Sequence, residues 1–478
     1  MKLRRLLVNT AAVFLFFHLS LAVDAAVKLP SIFTDNLVLQ QQTQVALWGW
    51  ASAGKTVTVI PSWNKKRYTA KADASGKWKL KVETPAAGGP YEISFSEGKV
   101  IKLTNILIGE VWVCSGQSNM EMPMKGFRGQ PVIGSNEAIL KSKNKNIRLY
   151  TVPKDFVTEP QENSKPAQWK EASPESVSDF SATAYYFGKL LHDLLGVPVG
   201  LINTSFGGSS IETWMSPASL KSFTDIKIPQ NSDSISGYRS PTVLFNGMLY
   251  PLIGYGLRGA LWYQGESNYE DPDRYEVLFP TMVKEWRSLW GVGEFPFYYA
   301  QIAPYNYAQL PPYHYGGKYN SAYLRDAQRK SLNTIPNSGM AVLMDTGEEN
   351  NIHPANKKTA GQRLALLALN KTYGLKGFGY ESPAYDSLSV SGSTVEVKFK
   401  NAPNGLTSFG KELTTFEIAG KDKIFYPAKA VLFRGNVLVS SPQVREPVAV
   451  RYAFKDFIVG ELFGTDGLPV SSFRSDNW

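Results

Sequence analysis

The feature that most constrains the fold is a series of five apolar segments between residues 106 and 372, each stopping at a polar or glycine-rich cluster. They read EVWVCSGQS, VGLINTSFGGSS, RGALWYQGESN, FPFYYAQIAP and GMAVLMDTGEENNIHP. Continuous apolar runs are typical of strands buried on both faces, as in parallel sheets. Helical segments separate them, such as residues 182–196 with Gly196 as a stop signal. The alternation predicts a doubly wound α/β sheet, with all five polar clusters meeting at the carboxyl ends of its strands.

The two ends of the chain follow a different pattern. Residues 27–105 contain VALWGWA, KTVTVIP, KWKLKVETP and YEISFS, and the last hundred residues contain STVEVKFKN, TTFEIAG, KAVLFRGNVLVSS and PVAVRYAFKD. Alternation of apolar and polar residues, with turn signals between, indicates small β-sandwiches. The sequence therefore predicts a β-domain at 26–106, an α/β domain at 107–372 and a second β-domain at 373–478.

Residues 1–25 have the layout of a secretory signal peptide. A basic start with Lys2, Arg4 and Arg5 precedes an apolar centre at about 11–23 and small residues at 23–25. The apolar part is short for a membrane span, and an uncleaved anchor is the alternative. We predict a secreted protein of a bacterial periplasm or cell surface, without membrane contact after cleavage. The single cysteine, Cys114, leaves the exported chain without an internal disulfide.

Charge and motifs exclude several classes of function. The net charge is +10, and removal of residues 1–25, with three positive and one negative side chain, leaves +8. The chain has no block of five Lys or Arg residues, so nucleic-acid binding is not indicated. His and Cys residues do not occur at metal-ligand spacings, and no phosphate-binding glycine motif follows a strand. We expect neither a metal nor another cofactor, and the oligomeric state cannot be predicted from these patterns.

Three histidines remain after the signal peptide. His192 lies on the helix of residues 182–196 and is expected to be solvated, and His314 lies in a tyrosine-rich loop at 304–320. That loop is either a rigid surface loop or a rim that stacks on sugar rings. His353 follows a predicted strand and is the preferred general base.

Ser118 is the candidate nucleophile, because it ends the first strand where backbone N–H groups point into the cleft. Gly207 and Gly208 would let a substrate approach further N–H donors for an oxyanion, and the side-chain amide of Gln264 or Asn268 would add another. Cys114 lies within an apolar run and is interpreted as core.

The segments VWVCSGQSNMEMPM, NTSFGGSSIETWM, FNGMLYPL, LWYQGESN and NIHPANK resemble, in order, the blocks of the sialate O-acetylesterase family, within the SGNH (GDSL-type) hydrolase superfamily. The resemblance covers most of the mature chain. It implies a flavodoxin-like three-layer α/β domain flanked by β-sandwich-like domains. It also implies removal of O-acetyl groups from sialic acids or related glycans.

Carried over position by position, the resemblance makes Ser118 the nucleophile and His353 the base. It assigns the oxyanion hole to Ser118, Gly207, Gly208 and Gln264, and substrate binding to Asn246, Trp262 and Asn268. Met120 stands where the GxSxG elbow of other α/β hydrolases has its second glycine, which favours the SGNH interpretation.

One departure from the family concerns the acid that orients the histidine. Many relatives have an aspartate two or three residues before the histidine, and here both positions, Asn350 and Asn351, are asparagine. We expect Glu266 to supply the carboxylate, with Glu348, Glu349 and Asp345 as further candidates. A Ser–His dyad held by a neutral oxygen is the other possibility, and Glu266 would then be a structural partner at the strand end.

Three other functions stay open at this stage. The enzyme could act on acetylated plant-wall polysaccharide of the acetyl xylan type. The chain could instead be a non-catalytic carbohydrate-binding protein with a decayed hydrolase fold. A peptidase using the same serine fits the sequence less well.

Overall fold

The structure is a computed structural model that describes residues 27–310 and 320–478. The predicted signal peptide, His314 and most of the tyrosine-rich loop lie outside these ranges. Within them, no helix is long and apolar enough to cross a membrane.

The N-terminal region is built mainly of antiparallel strands, as the alternating pattern predicts, and only its short first strand, β1, pairs in parallel, with β7. Strands β2 and β5 pair with each other, β3 pairs with β4 and β6, and β6 pairs with the first half of β7. Val57 and Val59 of β3 are fully buried on the inner face, and their neighbours are partly exposed. The bounds are β1 Val38–Gln40, β2 Gln44–Trp50, β3 Thr56–Pro61, β4 Tyr68–Lys71, β5 Lys77–Glu83, β6 Gly88–Ser96 and β7 Val100–Gly116.

Strand β7 continues through the predicted domain boundary at residue 106. Its first half belongs to the N-terminal strands, and its second half, from Glu110 to Gly116, lies between β10 and β11 as a central parallel strand. The two regions therefore share one strand, which anchors the position of residues that follow Gly116.

The central sheet has the strand order β13-β12-β11-β7-β10-β8-β9. All neighbours along this path are parallel except β9, which is antiparallel to β8. The five strands predicted from the apolar runs are five consecutive members, β13 to β10, so this prediction is confirmed; the sequence analysis missed β8 and β9. The bounds are β8 Asn144–Thr151, β9 Lys170–Ala172, β10 Val199–Ser205, β11 Gly259–Tyr263, β12 Phe297–Ala300 and β13 Ser338–Ala341.

Helices cover both faces of this sheet. Leu261 of β11 packs in the same cluster as residues of α4 and α8, and Trp262 packs on the other face with residues of α6 and α7. Helix α4 begins after Ser181, whose hydroxyl accepts from the Ala184 N–H at 3.1 Å, and ends at Gly196 as predicted. The bounds are α1 Ser118–Glu121, α2 Ser135–Leu140, α3 Pro174–Ser178, α4 Ala182–Leu195, α5 Pro217–Leu220, α6 Pro272–Trp290, α7 Ala322–Ser331 and α8 Lys357–Leu367.

The C-terminal region is again made of antiparallel strands. Two four-stranded sheets have the orders β14-β15-β20-β19 and β18-β17-β21-β23, and β16 pairs with β22. All four segments predicted as strands contain strands here. The bounds are β14 Ala384–Ser391, β15 Thr394–Lys400, β16 Leu406–Thr407, β17 Phe416–Ala419, β18 Phe425–Pro427, β19 Lys429–Phe433, β20 Asn436–Ser440, β21 Ala449–Tyr452, β22 Phe463–Gly464 and β23 Phe473–Arg474.

Candidate active site

Ser118 begins a short helix immediately beyond the carboxyl end of β7. Gly116 has φ 134°, and a Cβ there would lie 2.2 Å from the carbonyl oxygen of Tyr263, so only glycine fits between the two strands. The next N–H, of Gln117, donates to the same carbonyl at 3.0 Å. The chain then turns into α1, whose first N–H groups have no acceptor within the helix. Ser118 is 9% exposed. Cys114, four residues earlier in β7, is fully buried, which confirms the prediction that this cysteine belongs to the core.

The histidine loop is attached to this turn by one side chain. Asn119 donates from Nδ2 to the carbonyl oxygen of Ile352 at 3.1 Å, directly before His353. His353 itself is half-buried, and its ring meets Phe127 edge-on with centroids 5.4 Å apart. Ser118 and His353 are therefore on neighbouring segments held together by Asn119.

The partner of the His353 ring is an amide. Nδ1 lies 2.7 Å from Oε1 of Gln130. Because an amide oxygen only accepts, Nδ1 carries the proton and Nε2 carries the lone pair. This is the tautomer that a general base requires, since Nε2 is then free to take a proton.

We expected a carboxylate, first of all Glu266, to contact the His353 ring. In the structure the candidate carboxylates have other partners, so this expectation is corrected. Glu266 bonds to Asn119 Nδ2, and Glu348 accepts from Asn351 Nδ2 at 2.9 Å and from the Ala355 N–H at 2.6 Å. Asp345 forms a bidentate ion pair with Arg363, in which the two guanidinium nitrogens lie 2.6 and 2.7 Å from the two carboxylate oxygens.

Asn350, Asn351 and Glu349, which precede His353, also form hydrogen bonds with groups other than the His353 ring. Asn351 Oδ1 accepts from the backbone N–H of His353 at 3.1 Å, and Asn350 Oδ1 accepts from Gln309 at 2.9 Å. Glu349 accepts through its carbonyl from the Asn306 N–H at 3.1 Å. The loop thus uses its polar residues to fix its own shape.

Burial and a nearby cation keep His353 neutral. Burial, and to a smaller extent the positive charge of Lys357, together lower the pKa of His353 to about 4. No carboxylate among the described residues opposes these two effects. At neutral pH the imidazole is therefore unprotonated and available as a base.

A buried set of three polar side chains lies behind the segments that carry Ser118 and His353. Asn119 donates to Glu266 and accepts, through Oδ1, from Lys357 Nζ. Burial raises the pKa of Glu266 and lowers the pKa of Lys357 to about 7, while their opposite charges act against both shifts. We refer to Asn119, Glu266 and Lys357 as the buried link, because they connect the ends of β7 and β11 with the start of α8.

Gly207, a predicted oxyanion donor, lies next to Ser118. A Cβ on Gly207 would be 3.4 Å from Cβ of Ser118, so the backbone after β10 runs directly past the serine. Its N–H donates to a carboxylate oxygen of Glu121, whose other oxygen accepts from Lys154 at 2.6 Å. Gly208 has φ 73° and accepts from Arg239 at 2.9 Å through its carbonyl oxygen.

The expectation that the Gln264 amide reaches the oxyanion is also corrected. Gln264 is fully buried, and its Nε2 donates to the Ser209 carbonyl at 3.2 Å and to Asn268 Oδ1 at 2.7 Å. Asn268, 7% exposed, donates in turn to Glu212 at 3.1 Å. Both amides fasten the loop after β10 to the loop after β11.

Two of the three predicted substrate-binding residues cannot meet a substrate. Asn246 is fully buried and donates to the carbonyl oxygens of Val157 and Thr158 at 3.2 and 2.6 Å. Trp262 is fully buried between Trp214 and Trp286. Both predictions are wrong for the same reason: the two side chains lie inside the core of the protein and have no surface that a substrate could contact.

The remaining candidates from the sequence are located as follows. His192 is half-buried, not solvated, and lies 2.7 Å from the Val197 carbonyl oxygen at the end of α4. Tyr305 and Tyr307, the described tyrosines of the loop at 304–320, are buried, so neither is part of a sugar-stacking rim. Among the described residues, no group of three His, Cys, Asp or Glu side chains could hold a metal ion.

Four residues of the site were not identified from the sequence: Asn119, Glu121, Gln130 and Lys357. Asn119 and Glu121 lie one and three positions after Ser118, and Lys357 lies four after His353. Proximity to the chosen residues was their only signal. Gln130 lies in an irregular loop that no pattern connects with His353.

A serine at a strand end and a neutral histidine on a neighbouring segment are residue types that a hydrolase uses to form an acyl-enzyme. The comparisons with known proteins define the class. A carbohydrate acetylesterase of known crystal structure from Xanthomonas citri matches with a TM-score of 0.85 and 34% identity, covering 95% of this chain and 100% of that chain. The protein is thus a carboxylic ester hydrolase.

The family follows from a second comparison. The family model described as "Carbohydrate esterase, sialic acid-specific acetylesterase" matches residues 108–370. The sialate O-acetylesterases of Homo sapiens and Pongo abelii are each 29% identical over 401 residues, covering 76% of this chain and 74% of theirs. This chain belongs to the sialic acid-specific acetylesterase family of carbohydrate esterases, as the sequence blocks indicated.

Proposed function

We propose that this protein is a secreted serine esterase that removes O-acetyl groups from sialic acids or related acetylated glycans through an acyl-enzyme. The observation that carries the proposal is the hydrogen bond of 2.7 Å between His353 Nδ1 and Gln130. It prepares Nε2 as a base, on a loop that Asn119 attaches to the turn of Ser118. The matched relatives, sialate O-acetylesterases and a carbohydrate acetylesterase, suggest the substrate class.

In the proposed first half-reaction, Ser118 Oγ attacks the acetyl carbonyl carbon and its proton moves to His353 Nε2. Negative charge develops on the carbonyl oxygen, and the backbone N–H groups of Ser118 and Gly207 stabilise it. When the tetrahedral intermediate collapses, the C–O bond to the sugar breaks and His353 returns the proton to the sugar oxygen. The acetyl group stays on Ser118.

In the second half-reaction, water attacks the acetyl-enzyme, with His353 again taking the proton, and acetate leaves as Ser118 recovers its hydrogen. The imidazolium that forms in each half is stabilised by the partial negative charge of the Gln130 amide oxygen. A neutral oxygen gives less stabilisation than a carboxylate. Because the partner of His353 is an amide, we propose that the enzyme uses a Ser–His dyad and no acidic third residue. The scheme requires no cofactor.

Glu121 has to release Gly207 before this N–H can serve an oxyanion. Its carboxylate is the present acceptor, and a negative charge there would repel the developing oxyanion. Lys154, the other partner of Glu121, has a half-exposed side chain that can follow the carboxylate toward solvent. We propose that the acetyl group displaces Glu121 from Gly207 on binding.

Acetate release decides the proposal and the substrate together. The full chain and Ser118→Ala are incubated with a panel of acetylated sialic acids and acetylated xylans. We expect the full chain to release acetate from sialic acids and Ser118→Ala to release none. Release from xylans alone would instead favour an acetyl xylan esterase, and binding without release would favour a non-catalytic carbohydrate-binding protein.

Domain organisation and export complete the proposal. We propose a flavodoxin-like SGNH domain of three layers at 107–372, flanked by β-sandwich-like domains at 26–106 and 373–478. We further propose that residues 1–25 direct export to a bacterial periplasm or cell surface and are then removed. Amino-terminal sequencing of the exported protein tests this, because a mature chain that still begins at Met1 would contradict it.

A further inference from the structure

A second carbohydrate site is indicated by an aromatic cleft between the N-terminal strands and the central domain. The cleft has a volume of about 590 Å³, within the usual range for small-molecule sites. One wall is formed by β2 and β5, and the other by the segment from Tyr250 to Ile253. We call it the aromatic cleft; Trp48, Trp50, Trp78 and Tyr250 line it.

The location separates this cleft from the acetylesterase site. Tyr250 to Ile253 precede β11 and so lie toward the amino ends of the central strands, whereas Ser118 follows the carboxyl end of β7. Gly259 of β11 pairs with Trp112 and Tyr263 with Gly116, so the two ends are separated by the length of the strands. Five residues at about 3.3 Å each put roughly 17 Å of sheet between them.

The lining has the composition that a sugar requires. Indole and phenol rings offer flat apolar faces to the C–H groups of a pyranose, and polar side chains at the rim can bond its hydroxyl groups. Tyr250 is 37% exposed, and Trp48 and Trp50 are partly exposed, so the rings are accessible in the isolated chain. Trp78, 3% exposed, pairs with Gly49 and therefore projects to the opposite face of the β2–β5 pair, where its ring meets Phe95.

The charges around the cleft argue for a neutral ligand. Its polar lining consists of Asp73, Lys77, Lys79 and Glu162, two cations and two anions. Lys77 of β5 is paired with Glu162, and Lys79 Nζ lies 5.9 Å from the centre of the Trp48 ring. Such a balanced set gives no net attraction to a sialic acid carboxylate.

We propose that the aromatic cleft binds an uncharged segment of a glycan, independently of the acetylesterase site. It would hold a polymeric or branched substrate near the enzyme while Ser118 acts on a different residue of it. The binding itself does not depend on the proposed esterase function, although its usefulness to the enzyme does.

Binding of xylohexaose and of non-acetylated xylan to the full chain tests this, in a Ser118→Ala background so that no turnover interferes. We expect Trp50→Ala and Tyr250→Ala each to weaken binding about tenfold, the loss expected for one aromatic contact. Trp50→Phe should recover most of the affinity. Trp63→Ala is the matched control, because Trp63 belongs to the same region but lies outside the cleft.

Turnover of an aryl acetate by the same variants with Ser118 restored keeps the two proposals separate. We expect Trp50→Ala and Tyr250→Ala to retain the full rate, which also shows that they fold. Equal affinity in these variants and in Trp63→Ala would overturn the cleft proposal, as would no detectable binding by the Ser118→Ala chain. A chain that binds xylohexaose but turns over no acetate would overturn only the esterase proposal.

Discussion

Two sets of polar residues meet beyond the strand ends, and they differ chiefly in burial. The first is Ser118, His353 and Gln130, which reach the surface or lie just beneath it. The second is the buried link, in which Glu266 and Lys357 are 3% and 1% exposed. Apart from Gln130, the residues of both sets lie in or just after the polar clusters that follow apolar runs in the sequence. The comparison teaches that a polar cluster at a strand end can perform chemistry or can join the segments that do.

The largest expected effect concerns the first set. Ser118→Ala and His353→Ala should each lower kcat for an aryl acetate by about 10⁴-fold or more, because each removes a participant in bond formation. Both side chains are accessible enough that the thermal unfolding midpoint should change little. Either variant keeping a tenth of the wild-type rate would remove that residue from the mechanism.

Asn119→Ala tests the buried link, with a large effect on both activity and stability. It separates the His353 loop from the Ser118 turn, so kcat should fall about 10²-fold. It also leaves Glu266 and Lys357 without their shared partner, a loss of about 3 kcal/mol or more in the free energy of unfolding by denaturant. Thr359→Ala, in the first turn of α8 but not in the link, serves as control. A loss of activity with unchanged stability would make Asn119 part of the reacting set.

Gln130→Leu and Glu266→Gln compare the two sets directly. Gln130→Leu removes the acceptor of His353 Nδ1–H and should lower kcat about tenfold, the value of one hydrogen bond. Glu266→Gln keeps an oxygen for Asn119 and should cost less. The opposite order, in kcat measured at pH 7, would restore Glu266 as the acid that the sequence suggested.

The smallest effect is a displacement of the pH profile. Lys357 is protonated below about pH 7, and its charge adds to burial in lowering the pKa of His353 to about 4. Lys357→Met removes that charge, so the pKa of His353 should rise and the acid limb of kcat/KM should move to higher pH. Lys358→Met, on the same helix, should leave the limb in place. A shift toward lower pH in Lys357→Met would contradict the assigned charge effect.

The sequence by itself determined five of the central strands, the family, and the two residues that we propose react with substrate. Apolar runs that end in polar clusters predicted five adjacent parallel strands, since backbone hydrogen bonding and burial act locally on such runs. Ser118 and His353 were predicted because each follows one of these strands, and the family follows from the same blocks.

Only the tertiary structure decided which polar residue meets which. Gln130 and His353 are 223 positions apart, and no periodicity connects a loop glutamine with a loop histidine. The family blocks suggested that Gln264, Asn246 and Trp262 contact substrate, and Glu266 was expected to contact the histidine. All four side chains are instead fully or almost fully buried, because helices and loops from distant parts of the sequence cover them. Side-chain contacts of that kind arise from the packing of whole layers, which a local pattern of residues does not encode.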